Sequence, residues 1–316
     1  MPELPEVETV RRGLNRVSLN QPIRGGEVLL ARTIAFPELA DSFLNGVVGS
    51  QINGWCRRGK YLMASLGEAA TSAANTTALD RTEAEIGQKA NRAGNYRVGN
   101  YGEESPSVGW LGVHLRMTGQ LLWVSKQEPV QTHCRVRLFF DEDRELRYVD
   151  QRTFGRLWWV PPNQTLEAVM TGLQRLGPEP FSDDFSLAYF VDALKGRKRP
   201  IKNALLDQKL VAGIGNIYAD EALFLSGIRP TVRCDRLTKP KITRLHAAII
   251  EVLTTSIESG GTTFSDFRDV HGTNGNYGGV AWVYDREGEP CRKCDSSIMR
   301  TKLAGRSAHY CAQCQK

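Results

Sequence analysis

The chain has 316 residues, of which 41% are hydrophobic and 24% are charged, and its formal net charge is +6. This composition excludes collagen-like and wholly disordered proteins. The sequence contains no run of about 18 apolar residues, which a transmembrane helix would require. The residues from Gln151 onward carry 23 basic and 17 acidic side chains, which accounts for the whole net charge. Such a basic half indicates a polyanionic partner, although net charge alone is explained more simply by a solvated surface.

Length and cysteine usage predict the class of protein. A chain of this length predicts two domains, and its acidic start contains no apolar core of a signal peptide. Seven cysteines, four of them in two close pairs near the C-terminus, do not form a secreted disulfide framework. We therefore expect a cytoplasmic protein in a reducing environment, without membrane contact.

The first half of the chain predicts one helix followed by strands. Residues 5–17 form the helix, because Val7, Val10 and Leu14 recur at helical spacing. Strands then succeed one another without helices between them and predict an antiparallel sandwich or barrel. The predicted strands are residues 26–34, 60–66, 110–116, 120–124, 134–140, 146–149 and 156–160.

The remaining segments predict a loop, a linker and a helical half. Residues 67–107 are rich in small and polar side chains, and they predict a surface loop with at most a short helix over residues 80–90. Prolines at 161–162 and 178–180 bracket a linker, beyond which the chain is helical. The clearest helix covers residues 239–259, with Thr238 as its N-cap.

The strongest motif consists of two Cys-x2-Cys pairs sixteen residues apart, formed by Cys291, Cys294, Cys311 and Cys314. This spacing predicts one structural zinc ion held by four thiolates in preference to a redox pair. The other three cysteines, Cys56, Cys134 and Cys234, are predicted to be inert core residues.

A basic run and a glycine-rich turn form a second motif. Residues 195–202 hold five basic side chains and no acidic one, and a helix is predicted over residues 199–206. The sequence Gly213-Ile-Gly-Asn216 then opens another helix, where converging backbone amides can accept a phosphate. The simpler alternative is a helix end followed by an N-cap at Asn216.

The N-terminus carries the third motif. Pro2 is small enough for Met1 to be removed, which would expose a secondary amine. An α-amino group has a pKa near 8, about two units below that of lysine, and is therefore a competent nucleophile at neutral pH. Glu3 and Glu6 lie beside it and can move protons. From composition alone, an N-terminal proline is usually only a chain end.

These motifs together resemble the bacterial formamidopyrimidine-DNA glycosylases. The resemblance covers the chain except residues 67–107. In chain order, the matching residues are Met1-Pro-Glu-Leu-Pro-Glu, Arg57-Arg-Gly-Lys-Tyr, Val113-His-Leu-Arg-Met-Thr-Gly, Tyr148-Val-Asp-Gln-Arg-Thr-Phe-Gly, Leu176-Gly-Pro-Glu-Pro, Gly213-Ile-Gly-Asn-Ile-Tyr and the cysteine-rich C-terminus.

The resemblance implies an α+β fold and an activity. Residues 1–162 are expected to form an N-terminal antiparallel β-sandwich with flanking helices, and residues 163–180 a linker. Residues 181–316 are expected to form a helix–two-turn–helix domain with a β-hairpin zinc finger at 282–316. The implied activity is that of a monomeric, bifunctional DNA glycosylase and abasic-site lyase of base-excision repair. Its partner is duplex DNA containing oxidised purines, namely 8-oxoguanine and formamidopyrimidines.

The resemblance also implies roles for individual residues. Pro2 attacks C1′ and forms a Schiff base, Glu3 moves protons, Lys60 donates a proton in β-elimination, and Arg306 serves δ-elimination. The implied DNA-binding residues are His114, Met117, His133, Arg152, Phe154, Lys198 and Asn216. Among these, His114 and Asn216 hold the phosphate of the lesion, and Met117, Arg152 and Phe154 fill the gap left by the extruded base.

The sequence departs from the family pattern in places. Thr153 replaces the second arginine of Asp-Pro-Arg-Arg-Phe-Gly, and Arg116 replaces the glycine of His-Leu-Gly-Met. Residues 266–281 correspond to the family's lesion-capping loop. Two rival functions are an enzyme like endonuclease VIII, acting on oxidised pyrimidines, and a non-catalytic zinc-hairpin protein that binds DNA.

Overall fold

The computed structural model describes residues 1–69, 107–262, 268–273 and 275–316. Most of the predicted loop 67–107, with the helix at 80–90, lies outside the described residues. At its start, Gly67 and Glu68 still belong to a strand.

The chain begins with helix α1, Leu4–Val17. Glu3 and Glu6 form a capping box at its start, since each side chain accepts a hydrogen bond from the backbone amide of the other residue. Val7, Val10 and Leu14 are fully buried on one face and pack into the core of the sheets. The predicted helix 5–17 is therefore confirmed and begins one residue earlier.

Two sheets pack face to face and confirm the predicted sandwich. A five-stranded sheet has the order β2-β9-β5-β4-β3, and a four-stranded sheet has the order β1-β7-β8-β6. Alternating inward side chains of both sheets form one core. The strands are β1 Gly25–Val28, β2 Ile34–Phe36, β3 Ser50–Arg58, β4 Tyr61–Glu68, β5 Gly109–His114, β6 Gly119–Ser125, β7 Cys134–Phe139, β8 Arg144–Asp150 and β9 Arg156–Val160.

Three details of this half differ from the sequence predictions. The strand predicted at 26–34 is wrong, because a 3-10 turn, Ala31–Thr33, separates β1 from β2, and β2 pairs parallel to β9. Helix α2, Ala40–Val47, was not predicted and interrupts the run of strands. Strand β3 was not predicted; its Asn53-Gly54 pair, a sequence typical of a turn, here lies at an irregularity in the register with β4.

The second half is helical and has its own core. Its helices are α3 Leu166–Val169, α4 Leu187–Leu194, α5 Ile201–Leu205, α6 Asn216–Leu225 and α7 Lys239–Glu258. Helix α7 confirms the predicted helix 239–259. The helix predicted at 199–206 is shorter, because Pro200 occupies the N-cap position of α5. None of the helices described is long and apolar enough to span a bilayer.

The chain ends in the hairpin of β10, Ile298–Leu303, and β11, Arg306–Cys311. Ala304 and Gly305 form its two-residue turn, and both have positive φ angles, as tight hairpin turns require. Cys291, Cys311 and Phe224 share a small buried cluster, so that the hairpin packs against α6.

Candidate active site and nucleic-acid interface

A cleft of about 420 Å³ lies where the N-terminus, the β3–β4 turn and the helical half meet. Four of the residues predicted from the sequence line it, namely Lys60, His114, Asn216 and Arg306. Met1 also lines the cleft and is 42% exposed, while Pro2 behind it is buried. Because the Pro2 nitrogen is an amide while Met1 is attached, removal of Met1 creates the predicted amine at this cleft.

The start of helix α6 binds Glu3. The amides of Ile217 and Tyr218 donate to the Glu3 carboxylate, over 3.0 and 3.5 Å. A side chain at Gly215 would collide with this carboxylate, at 2.3 Å from its carbon. The glycine-rich turn therefore holds a carboxylate of the chain itself, and the predicted phosphate nest is wrong for these two amides. The N-cap of helix α6 is Gly215, one residue before Asn216, which the sequence predicted for this position.

Lys60 is held in place by a buried carboxylate of the linker. Glu179 accepts hydrogen bonds from the Gly59 amide (2.5 Å), Arg57 Nη1 (2.8 Å) and Arg58 Nη1 (3.1 Å). These contacts fix the turn that precedes Lys60, whose side chain is buried. Burial lowers the pKa of Lys60, and the nearby carboxylates, led by Glu3, partly oppose this effect.

His114 is a neutral hydrogen-bond donor. Its Nδ1 accepts from the Arg116 amide over 3.0 Å, which places the ring proton on Nε2. Burial, together with the charges of Arg116 and Lys60, holds the pKa of His114 well below its ordinary value. The imidazole packs edge-on against Tyr61, with ring centres 4.4 Å apart. His114 is therefore buried and hydrogen-bonded, and it also lines the cleft.

The zinc hairpin positions Arg306 over the cleft. Arg306 is exposed at the start of β11, and its neighbour Ser307 accepts hydrogen bonds on both of its oxygens. Asn216 Nδ2 donates to Ser307 Oγ over 3.2 Å, and Lys202 Nζ donates to the Ser307 carbonyl over 2.5 Å. Lys202 also forms a fully buried ion pair with Asp220 over 2.6 Å. The tip of the hairpin is thus attached to α5 and α6.

The four predicted cysteines form one cluster, with all their sulfur atoms within 4.8 Å of one another. Sulfur–sulfur distances of 3.5 Å, from Cys294 to Cys311 and to Cys314, and of 3.9 Å, from Cys291 to Cys314, are recorded. Zn–S bonds of about 2.3 Å in a tetrahedron place the sulfurs about 3.8 Å apart. The cluster therefore fits zinc, as the motif predicted.

The other three cysteines have the properties of inert thiols. Burial raises the pKa of Cys56 to about 12 and also raises the pKa values of Cys134 and Cys234. All three therefore stay protonated and weakly nucleophilic at neutral pH.

Two neighbouring loops carry the predicted wedge. Loop 115–118 follows β5 and loop 151–155 follows β8, and they lie side by side because His114 pairs with Arg156 and Gly119 with Asp150. Met117 is 36% exposed and Phe154 is 49% exposed, and Arg152 between them in sequence is also exposed. The Arg152 guanidinium lies 5.0 Å from the centre of the Phe154 ring. Large apolar side chains left in solvent at adjacent loop tips indicate a contact surface.

Buried Asp150 connects these loops. Its carboxylate accepts from Thr118 Oγ1 (2.5 Å), the Gly155 amide (2.8 Å) and the Tyr148 hydroxyl (3.4 Å). We expect Asp150→Asn to destabilise the fold by about 2 kcal/mol, because an amide keeps only part of these charge-assisted bonds. Urea unfolding measures this loss. Thr118→Ser retains the hydroxyl and serves as control; equal stability of Asp150→Asn and the parent would contradict the account.

The last two predicted DNA-binding residues lie outside the cleft. His133 is half-buried beside the wedge loops, and its carbonyl accepts from the Asp150 amide over 2.9 Å. Lys198 is exposed in the loop between α4 and α5. Residues 266, 267 and 274 of the predicted lesion-capping loop lie outside the described residues.

Sequence reasoning did not show that several polar residues near the cleft are buried, although it did predict Glu6 as a possible proton carrier. Glu6 accepts from the Tyr218 hydroxyl (2.5 Å) and the Thr262 amide (2.9 Å), and burial, with the charge of Glu3, raises its pKa. Glu179 stands in the Leu176-Gly-Pro-Glu-Pro motif, which was noticed without a role being assigned. Lys202 belongs to the basic run and is fully buried, which is rare for a lysine.

Three family models match the chain. The Formamidopyrimidine-DNA glycosylase N-terminal domain matches residues 1–157, and the Formamidopyrimidine-DNA glycosylase H2TH domain matches residues 176–268. The zinc finger found in FPG and IleRS matches residues 288–316. These matches fall on the sandwich, on the helical half and on the four-cysteine hairpin, respectively.

Relatives and solved structures agree with these models. A formamidopyrimidine-DNA glycosylase of Acaryochloris marina is 56% identical over 315 residues, covering 100% of this chain and 99% of the relative. One from a Nostoc species is 55% identical and covers 100% of both. The MutM (Fpg) structure of Thermus thermophilus has a TM-score of 0.78 and 35% identity, covering 99% of this chain and 98% of that one. Lactococcus lactis Fpg in complex with DNA containing an abasic site has a TM-score of 0.80 and 31% identity, covering 99% of both chains.

Proposed function

This chain belongs to the formamidopyrimidine-DNA glycosylase family, and on that premise we propose that it excises oxidised purines from duplex DNA and then cleaves the strand. It is a DNA glycosylase and abasic-site lyase of base-excision repair. The observation that carries this proposal is the cleft at the N-terminus, where Lys60, His114, Asn216 and Arg306 meet around the start of the chain.

The first step is displacement of the damaged base. Pro2, once freed of Met1, attacks C1′ of an extruded nucleotide while the bond from C1′ to the base breaks. A nucleophile buried at the base of a cleft reaches C1′ only if the nucleotide leaves the helix. Glu3, fixed by the amides of α6, lies next in the chain and moves the proton that this exchange requires. The sugar ring then opens as the C1′–O4′ bond breaks and O4′ takes up a proton, and the product is a cationic imine between Pro2 and C1′ of the open-chain sugar.

Strand cleavage follows from this imine. Because the imine is an electron sink, a C2′ proton can leave and the 3′ phosphate can depart in β-elimination. Lys60 donates a proton in this step, and its pKa, lowered by burial, brings the ammonium closer to the range of proton exchange at neutral pH. Arg306, on the hairpin tip, serves the second elimination, which releases the 5′ phosphate.

The DNA is held by charge and by wedging. Neutral His114 and Asn216 donate hydrogen bonds to the phosphate of the lesion, where Lys60 and Arg306 supply positive charge. Met117 and Phe154 enter the gap in the stack, and Arg152 satisfies the base that has lost its partner. His133 and Lys198 bind the backbone on either side.

We also propose the division of the molecule and its place of action. Residues 1–162 form the catalytic sandwich domain, residues 163–180 the linker, and residues 181–316 the helix–two-turn–helix domain with its zinc finger. Since the substrate is chromosomal DNA, we place the monomeric enzyme in the cytoplasm on the nucleoid.

Substrate choice tests this proposal. We expect duplexes containing 8-oxoguanine to be cut faster than duplexes containing thymine glycol, and the products to carry phosphate at both ends of the gap. The measurement is single-turnover cleavage of the two duplexes side by side. Faster cutting of thymine glycol would favour an enzyme like endonuclease VIII and contradict the assignment to oxidised purines.

A further inference from the structure

Arg116 is a cation in the cleft without a protein partner among the described residues. It lines the cleft beside Lys60 and His114, and its side chain is exposed. The backbone amide donates to His114, but no described residue forms an ion pair or a hydrogen bond with the guanidinium. Its charge nevertheless acts on two neighbours: it adds to the burial that lowers the pKa of His114, and it partly opposes the burial that raises the pKa of Tyr61.

The backbone at Arg116 is also unusual. Its φ angle is +55°, in the left-handed region that a side chain of this size rarely adopts. Such a conformation has an energetic cost, which glycine would avoid, and residues held in this way cluster at functional sites. A strained arginine whose head group has no described partner is therefore better explained by an external ligand than by the stability of the fold.

The position of Arg116 indicates which ligand. Along the chain it stands between His114, which faces the lesion phosphate, and Met117, which enters the base stack. The remaining cleft residues near it, Lys60 and neutral His114, already favour an anion. A guanidinium in this environment is suited to bidentate contact with phosphate oxygens.

We propose that Arg116 binds a backbone phosphate of the damaged strand, next to the phosphate held by His114, and so fixes the backbone where Met117 kinks the duplex. This inference rests on the proposed function and adds a DNA-binding residue to it. The glycine of the usual family pattern cannot make this contact. The amide of residue 116, by contrast, sets the proton position of His114 whichever side chain is present.

Salt dependence of DNA binding tests the proposal. In Arg116→Gln, which keeps a polar side chain but removes its charge, we expect the Kd for abasic-site duplex to rise about tenfold. The slope of log K against log salt should fall by about one phosphate contact. Arg116→Lys should retain the slope, and Arg116→Gly should lose it while raising Tm by about 2 °C through relief of the φ strain.

Arg16→Gln, at an exposed arginine of α1, is the matched control and should leave the slope unchanged. An unchanged slope in Arg116→Gln, or an equal loss in Arg116→Lys, would overturn the proposal; a loss that depends on base sequence would point to base recognition and overturn it too. Borohydride trapping of the parent protein is run in parallel. Failure of the parent to be trapped counts against the enzyme, whereas the slopes report on Arg116 alone.

Discussion

Removal of zinc is expected to abolish strand cleavage while the β-sandwich stays folded. The hairpin contributes Arg306 to the cleft, and its small buried cluster around Cys291 and Cys311 gives it little apolar core of its own. In zinc-finger peptides the metal supplies about 10–16 kcal/mol of folding free energy, far more than two short strands can replace. The sandwich has a separate core that does not include the hairpin.

A chelator and Cys311→Ser both produce this loss, which is measured as nicking of an 8-oxoguanine duplex together with bound zinc. Circular dichroism should retain most of the strand signal. Cys56→Ser is the matched control, since Cys56 lies outside the cluster and donates to the Met63 carbonyl over 3.4 Å. A zinc-free protein that nicks DNA at the parental rate would show that the hairpin has no part in the reaction.

Replacement of Glu3 by Gln is expected to slow base excision by about 10²–10⁴-fold, the usual contribution of a positioned proton-transfer group. The amide oxygen of Gln can still accept from Ile217, so the fold should lose only the favourable interaction of a carboxylate with the positive end of α6, about 1 kcal/mol. The measurement is the single-turnover rate of 8-oxoguanine release.

A second substrate separates lost chemistry from lost structure. Because Glu3→Gln keeps the Pro2 amine, borohydride should still trap it on DNA that already contains an abasic site. Glu27→Gln, at an exposed carboxylate paired with Arg137, is the control and should release base at the parental rate. If Glu3→Gln also released base at that rate, Glu3 would have no role as a proton carrier.

Local patterns predicted those parts of the fold that depend on neighbours in the chain. The apolar stripes of α1 and α7 and the paired cysteines lie within short segments, so spacing alone indicated a helix or a metal cluster. Strand β3 was not predicted, and at its Asn53-Gly54 pair the local preference for a turn is overridden by pairing with β4.

The site depended on contacts that spacing cannot show. Glu179 holds Gly59 across 120 positions, and Ile217 donates to Glu3 across 214. Sequence spacing also cannot show a buried ion pair such as Lys202–Asp220, because lysine and aspartate usually lie on the surface. The predicted roles of Met117, Phe154 and Arg306 came from the family resemblance, as side-chain type alone would have placed the first two in the core.

The identity of the nucleophile is tested most directly by borohydride reduction of the protein on an 8-oxoguanine duplex, followed by mass spectrometry of the linked peptide. Reduction converts the imine into a stable C–N bond, so the sugar remains on the attacking nitrogen. The account predicts an N-terminal peptide that has lost Met1 and carries the adduct on Pro2. An adduct on Lys60 or on any other lysine, or an actively cleaving protein that retains Met1, would contradict it.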